Sequence, residues 1–132
     1  MTPILDTNVL INIVKGDDKT KGILDKHKRE SACITVVNRY EFLRGVYSSI
    51  PQGAKRDELF DFLDQFKVYD FTTRTASYCA EVYYNLRNNG SLINELDIII
   101  LGICRENSES ILTNDRDFIK AAEITGTKLE II

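Results

Sequence analysis

Apolar runs too short to stand alone punctuate this chain, and a carboxylate sits at the seam of most of them. Ile4-Leu5 ends on Asp6, Ile111-Leu112-Thr113 is followed two residues on by Asp115, and the segment Leu96 to Cys104, apolar throughout 98–101, carries Asp97 near its start. The first two have the length of strands that bury both faces in a parallel sheet, and the third is long enough for a buried helix. An ionised carboxylate at their ends is costly unless a cation or a hydrogen-bond donor meets it. The pattern therefore constrains the fold and the chemistry together.

Between the strand-length runs, apolar residues recur at helical spacing. Pro3-Ile4-Leu5 reads as a strand and Thr7 to Val14, apolar at 9, 10, 13 and 14, as the helix behind it. Asp17 to Arg29 reads as a polar, exposed helix and Ala32 to Thr35 as a second strand. Helices follow with stripes at 36, 40, 43 and 47 and, beyond Pro51, at Leu59, Phe60, Leu63 and Phe66. Val68 to Phe71 supplies a third strand, and Ala76, Cys79, Ala80, Tyr83 and Leu86 line a helix that Asn88-Asn89-Gly90 ends. Leu96 to Cys104 has the length of a buried helix and Ser110 to Thr113 that of a buried strand. Phe118 to Ile124 is a short helix stopped by Gly126, and Leu129 to Ile132 a last strand. Strands alternating with helices predict an α/β fold around a parallel sheet. No repeat, low-complexity tract or linker divides the 132 residues, so 1–132 reads as a single domain.

Composition closes several routes to function. His27 is the only histidine and stands in the charged stretch Lys26-His27-Lys28-Arg29-Glu30, where a solvated surface role suits it. Two-histidine ribonucleases, multi-histidine zinc sites and catalytic triads lose their main component. Cys33, Cys79 and Cys104 are widely spaced with no CxxC pair, which argues against a zinc ribbon and for buried thiols in a reducing compartment. No apolar stretch reaches the roughly 18 residues that span a bilayer, and Asp6 interrupts any signal core, so a cytoplasmic protein without a membrane partner is expected. The net charge is -3; residues 1–66 hold 10 Lys/Arg and 10 Asp/Glu, and residues 67–132 hold 7 and 10, which puts the acidic excess in the second half. That balance weighs against a nucleic-acid partner unless bound divalent ions and a local patch reverse the field. Hydrolytic chemistry here has to run on carboxylates and metal.

In open parallel sheets, ligands bind beyond the carboxyl ends of the strands. Asp6 and Asp115 follow strands directly, and Glu41 and Asp97 are expected in the first turns of helices whose N-termini face the same edge. Each acid also has a plainer role open to it. Asp6 or Thr7 can cap the first helix, Asn94 with Asp97 and Asn114 with Asp117 have capping-box spacing, and Glu41 can pair with Arg44 on a solvated face. Caps, however, need not converge on one edge, and Ser, Thr or Asn serve as well as a carboxylate. Asp97, heading a helix apolar nearly all round, is explained better as a metal ligand.

The pieces Leu5-Asp6-Thr7-Asn8-Val9-Leu10-Ile11, Glu41-Phe42-Leu43-Arg44-Gly45, Asp97-Ile98-Ile99-Ile100-Leu101 and Leu112-Thr113-Asn114-Asp115-Arg116-Asp117-Phe118 together resemble a PIN domain, and in particular the VapC-type ribonuclease toxins of prokaryotic toxin-antitoxin pairs. The resemblance spans the whole chain and implies a three-layer α/β/α fold with a central, mainly parallel sheet of 4–5 strands. It implies an acidic quartet of Asp6, Glu41, Asp97 and Asp115, with Asp6, Asp97 and Asp115 holding Mg²⁺ or Mn²⁺, and Asp117 as the alternative fourth acid. Glu95, Asn8, Thr113 and Asn114 stand close enough to orient water or ligand, although turn and capping roles suit Thr113 and Asn114 first. Arg44 and Arg116 lie inside the acidic motifs and are the cations favoured for RNA. The implied activity is metal-assisted hydrolysis of RNA phosphodiesters, leaving a 5′-phosphate and a 3′-hydroxyl. A VapB-type antitoxin and a homodimer, supplied by tyrosines such as Tyr78, Tyr83 and Tyr84, are implied partners. Where Leu101-Gly102 stands the family often has two alanines, a departure that concerns packing.

Four other readings compete. A solitary RNA-processing nuclease would share the site, and a non-catalytic PIN-like binding module would have lost acids, which this chain has not. A dehalogenase-type phosphatase needs Asp-x-Asp after its first strand, but Asn8 occupies the second place. A receiver domain needs paired acids near that strand and a late lysine, and neither pattern is complete.

Overall fold

Alternation inside each strand decides the architecture. In the computed structural model, which describes residues 3–26 and 32–132, Ile4 and Leu5 form strand β1 (Ile4–Leu5) and turn to opposite faces of the sheet. Ile4, Cys33 and Ile111 join one buried cluster, with Val82, Leu86, Ile98, Ile103 and Phe118. Leu5, Ile34 and Leu112, their immediate neighbours, join a second with Leu10, Phe42, Leu59 and Leu63. A strand apolar at consecutive positions can satisfy both residues only between two helical layers.

The remaining elements are α1 (Thr7–Lys15), α2 (Asp18–Asp25), β2 (Cys33–Thr35), α3 (Val36–Ser49), α4 (Ala54–Leu63), β3 (Lys67–Tyr69), α5 (Thr73–Asn88), α6 (Glu95–Glu106), β4 (Ile111–Thr113), α7 (Asp117–Thr125) and β5 (Leu129–Ile131). The sheet has five strands in the order β3-β2-β1-β4-β5, and every pairing is parallel. The expected α/β class and parallel sheet are thus observed. From β1 the chain builds outward through β2 to β3, then returns past β1 to lay β4 and β5 on the other side. The gap between β1 and β4 is therefore the point where strand order reverses, the usual position of a ligand crevice in such sheets. Among the described residues no helix is long and apolar enough to cross a membrane.

Two helical stripes differ from expectation, for one reason. On α3 the buried residues are Val37, Asn38, Phe42 and Val46, whereas Tyr40 and Tyr47 are 53% and 62% exposed. On α5 they are Thr75, Cys79, Val82 and Leu86, with Ala76, Ala80 and Tyr83 outside. Each helix opens with a capping box, Thr35 with Asn38 and Thr72 with Thr75. The cap fixes the rotational phase, and a polar residue with its partners satisfied takes a core place that a hydrophobic pattern leaves out. Glu41 accordingly falls in the second turn of α3, one turn later than expected. The strand expected at Val68 to Phe71 runs from Lys67 to Tyr69. Helix α2 ends at Asp25, so the end of the expected helix to Arg29, with His27, lies outside the described residues. All three cysteines are buried, and none forms a disulfide.

Helices α5 and α6 touch at Gly102. A Cβ there would lie 2.9 Å from the Cys79 Cα. Gly102→Ala should therefore lower stability by about 1–3 kcal/mol through overpacking, despite the roughly 1 kcal/mol that Ala normally adds inside a helix. Adding Cys79→Ala should recover only part, because the backbone contact stays. Thermal unfolding of the two variants checks this.

Candidate active site

Asp6 leaves β1 in extended conformation and caps α1. The Asp6 amide donates to the Leu112 carbonyl (2.9 Å), which extends the β1-β4 ladder by one residue beyond the Leu5↔Leu112 pair and sets Thr113 beside Asp6. The Thr113 hydroxyl donates to Asp6 Oδ2 (2.7 Å), the Thr7 amide to Oδ1 (2.8 Å), and the Asn38 amide to Oδ1 (3.4 Å). Asp6 is only 5% exposed. Burial pushes its pKa up, the Thr113 and Thr7 hydrogen bonds pull it down, and the charges of Glu41 and Asp115 push it up again, leaving it raised.

Glu41 comes from α3 and Asp97 from the first turn of α6. The Thr7 hydroxyl donates to Glu41 Oε1 (2.9 Å), so Glu41 is tied to α1 and not to Arg44. Arg44 lies over the Tyr40 ring, 5.1 Å from its centroid. Asn94 caps α6 by accepting from the Leu96 amide (2.9 Å). Asp97 lines the cavity. Its pKa is pushed up to about 7, first by burial and then by Asp6, Glu41, Asp115 and Asp117.

After β4, the Asp115 amide donates to the Thr113 hydroxyl (3.0 Å), and Asp115 Oδ1 accepts from the Asp117 amide (2.9 Å). The Asp115 side chain, rather than that of Asn114, thus shapes the turn into α7, whose N-cap position is Arg116. Thr113 bridges the two acids, donating to one and receiving the backbone of the other. Asp6, Glu41, Asp97 and Asp115 line one cavity of about 400 Å³ together with Thr7, Asn8, Arg44, Asn94 and Leu96. Asp117 lines the adjoining cavity with Leu92, Arg116 and Lys120, sharing only Asn94 and Asp97 with the first.

The donor set is all oxygen, hard and anionic. As the side chains stand, no three His, Cys, Asp or Glu among the described residues form a set that could enclose a metal ion directly. Mg²⁺ makes no such demand, because it keeps several waters and takes one or two carboxylates. Burial first, and then the charges of the neighbouring acids, raise both Asp97 and Asp6, which is the environment in which a cation stabilises ionised carboxylates. The residues fit a hydrated divalent ion.

A family model described as the PIN domain matches residues 4–124. The chain belongs to the PIN domain family. The fold is similar to that of a VapBC2 structure from Rickettsia felis bound to a promoter DNA fragment (TM-score 0.84, 23% identity, 99% of this chain and 98% of that one). DNA-bound VapBC from Salmonella typhimurium (TM-score 0.83, 21% identity, 99% and 98%) and VapBC-5 from Mycobacterium tuberculosis (TM-score 0.74, 20% identity, 99% and 97%) are likewise similar. Among curated protein sequences no match is found.

Within this PIN domain the other expected residues divide. Asn8 and Arg44 border the four-acid cavity, and Arg116 borders its neighbour. Glu95 lines neither; the Cys79 thiol, pushed up to about 11, owes its shift to burial first, then to Glu106, and only last to Glu95. Asn114 is exposed and lines neither cavity. Arg39 pairs with Asp64 at 2.9 Å. Two residues behind the acids, Thr7 as a link to Glu41 and the fully buried Asn38, were not assigned to the site from sequence. The spacing Thr35-x-x-Asn38 at a strand end is the signal that marks Asn38.

The Asp97 shift has a definite sign. Its folded pKa of about 7 exceeds the ordinary 3.8, so the folded state holds the extra proton between those values. Its contribution is therefore greatest at low pH and is lost as pH rises through 7. Asp97→Asn should raise the melting temperature by about 2–8 °C at pH 8 and leave it unchanged near pH 4. Melting scans of both proteins across that range check the prediction.

Proposed function

We propose that this PIN domain is a metal-dependent endoribonuclease and the toxin of a toxin-antitoxin pair. The observation that carries the reading is the convergence of Asp6, Glu41, Asp97 and Asp115 on one cavity at the strand-order reversal, with Asp97 pushed up to about 7. Asp6, Asp97 and Asp115 would hold Mg²⁺ or Mn²⁺. When bound, such an ion would supply Lewis-acid chemistry to a phosphodiester and to its attacking water.

The protein's own part is positional and electrostatic. Asp6 is locked by donors from three elements, so its carboxylate needs little rearrangement on meeting a cation. Burial and the neighbouring carboxylates push Asp97 up to about 7 in the metal-free chain, so holding a cation there would release its proton. Arg44 at the rim places a cation where a phosphate approaches an otherwise acidic mouth. Cleavage leaves a 5′-phosphate and a 3′-hydroxyl. The likeness to VapBC structures supports a VapB-type antitoxin as partner in the cytoplasm. Tyr83 and Tyr84, 39% and 62% exposed on α5, offer amphipathic surface for a homodimer, while Tyr78 is partly buried.

Purified protein incubated with structured RNAs should cleave with Mg²⁺ or Mn²⁺ and stop with EDTA. Asp6→Asn should reduce cleavage by at least about 100-fold, since loss of a metal ligand exceeds the 10–100-fold typical of residues that support one. Cleavage that survives either treatment rules out the mechanism, and equal cleavage of single-stranded DNA rules out RNA as the defining substrate.

A further inference from the structure

Asn38 is fully buried in α3, and its amide orientation is fixed by an atom that can only donate. The Thr35 backbone N–H points at one amide atom at 2.9 Å, so that atom must be Oδ1. The Thr35 hydroxyl also donates to Oδ1 (2.7 Å) while accepting from the Asn38 backbone amide (3.1 Å). Nδ2 is left facing the site, donating to Thr7 Oγ1 (3.1 Å) and Asp6 Oδ1 (3.4 Å). With its oxygen receiving Asn38, the Thr7 hydroxyl has its own proton free for Glu41 Oε1, 2.9 Å away. The relay runs from Asn38 Nδ2 through the Thr7 hydroxyl to the Glu41 carboxylate, and no buried side-chain nitrogen or oxygen among the described residues lacks a partner.

We infer that Asn38 is a positioning residue: by fixing the direction of the Thr7 hydroxyl it holds Glu41 toward Asp6 as a hydrogen-bond acceptor. The inference rests on the nuclease reading for its consequence and on hydrogen-bond polarity for its geometry. Asn38 reaches Glu41 only through Thr7. It has two separable tasks, because Oδ1 serves the cap of α3 and Nδ2 serves the site.

Asn38→Asp separates them. The carboxylate still accepts from Thr35 and completes the capping box, but it offers no donor to Thr7 or Asp6. In the metal-free wild type, the Thr7 hydroxyl proton should be observable by NMR in slow exchange, with a cross-peak to the Asn38 side-chain amide; in Asn38→Asp it should be lost. Cleavage should fall about 10–100-fold in kcat with KM little changed. Thr7→Val should cause a similar loss, and Thr7→Ser should recover most of it. In the Thr7→Val background Asn38→Asp should cost less than about threefold further, since the two act as one unit.

A Thr7 hydroxyl signal unaffected by Asn38→Asp, wild-type kcat in that variant, or losses that multiply in the double variant would each overturn the assignment. Failure of the wild type to cleave any RNA defeats the nuclease reading alone, because the hydroxyl measurement on metal-free protein still decides what Asn38 does.

Discussion

A carboxylate held almost out of water sets the terms for the carboxyl edge of this sheet. Asp6 keeps its place because three elements each lend it a donor: Thr7 from α1, Asn38 from α3 and Thr113 from β4. Those donors reduce the cost of burial without cancelling it, and its pKa stays raised. An uncompensated buried charge is expensive, so a positive group approaching this edge would be stabilised there. Asp97, facing the same cavity, is pushed up to about 7.

The sheet explains why the donors can meet. Ile4↔Ile111 and Leu5↔Leu112 put the ends of β1 and β4 in register, so the next residue of each, Asp6 and Thr113, stand side by side. Thr113 then passes the connection on, since its oxygen receives the Asp115 amide and thereby directs the turn into α7. One hydroxyl therefore links an acid of the first motif to an acid of the last across the point where strand order reverses. Their separation of more than a hundred residues in sequence becomes adjacency through strand register.

Much of this was legible beforehand. Short buried runs marked the three central strands, because a residue pair such as Ile4-Leu5 has no other way to bury both side chains, whereas the edge strands β3 and β5 carry Lys67 and Glu130 and are only partly buried. Acids at the ends of those runs gave the cavity, and the order of motifs gave the family. Helix rotation was less legible. The stripe at 36, 40, 43 and 47 counted tyrosines as core, but a tyrosine is equally at home with its ring flat on the surface, as Tyr40 is beneath Arg44. The choice between Asp115 and Asp117 was also beyond the pattern, since both follow β4 and only the turn held by Thr113 sends one to the four-acid cavity and the other to its neighbour.

The misread helix and the polar network behind the acids share a cause. A hydrophobic pattern assigns α3 a continuous apolar side, yet the structure puts an amide at one of its most buried positions. Placing Asn38 there gives up the stabilisation an aliphatic residue would bring and is tolerated because each of its polar atoms has a partner. Such an exchange is neutral at best for stability, so its rationale lies in what the amide points at. A core position that looks like a lapse in patterning, one turn before a carboxylate and behind another, is where local sequence rules yield to the demands of a site.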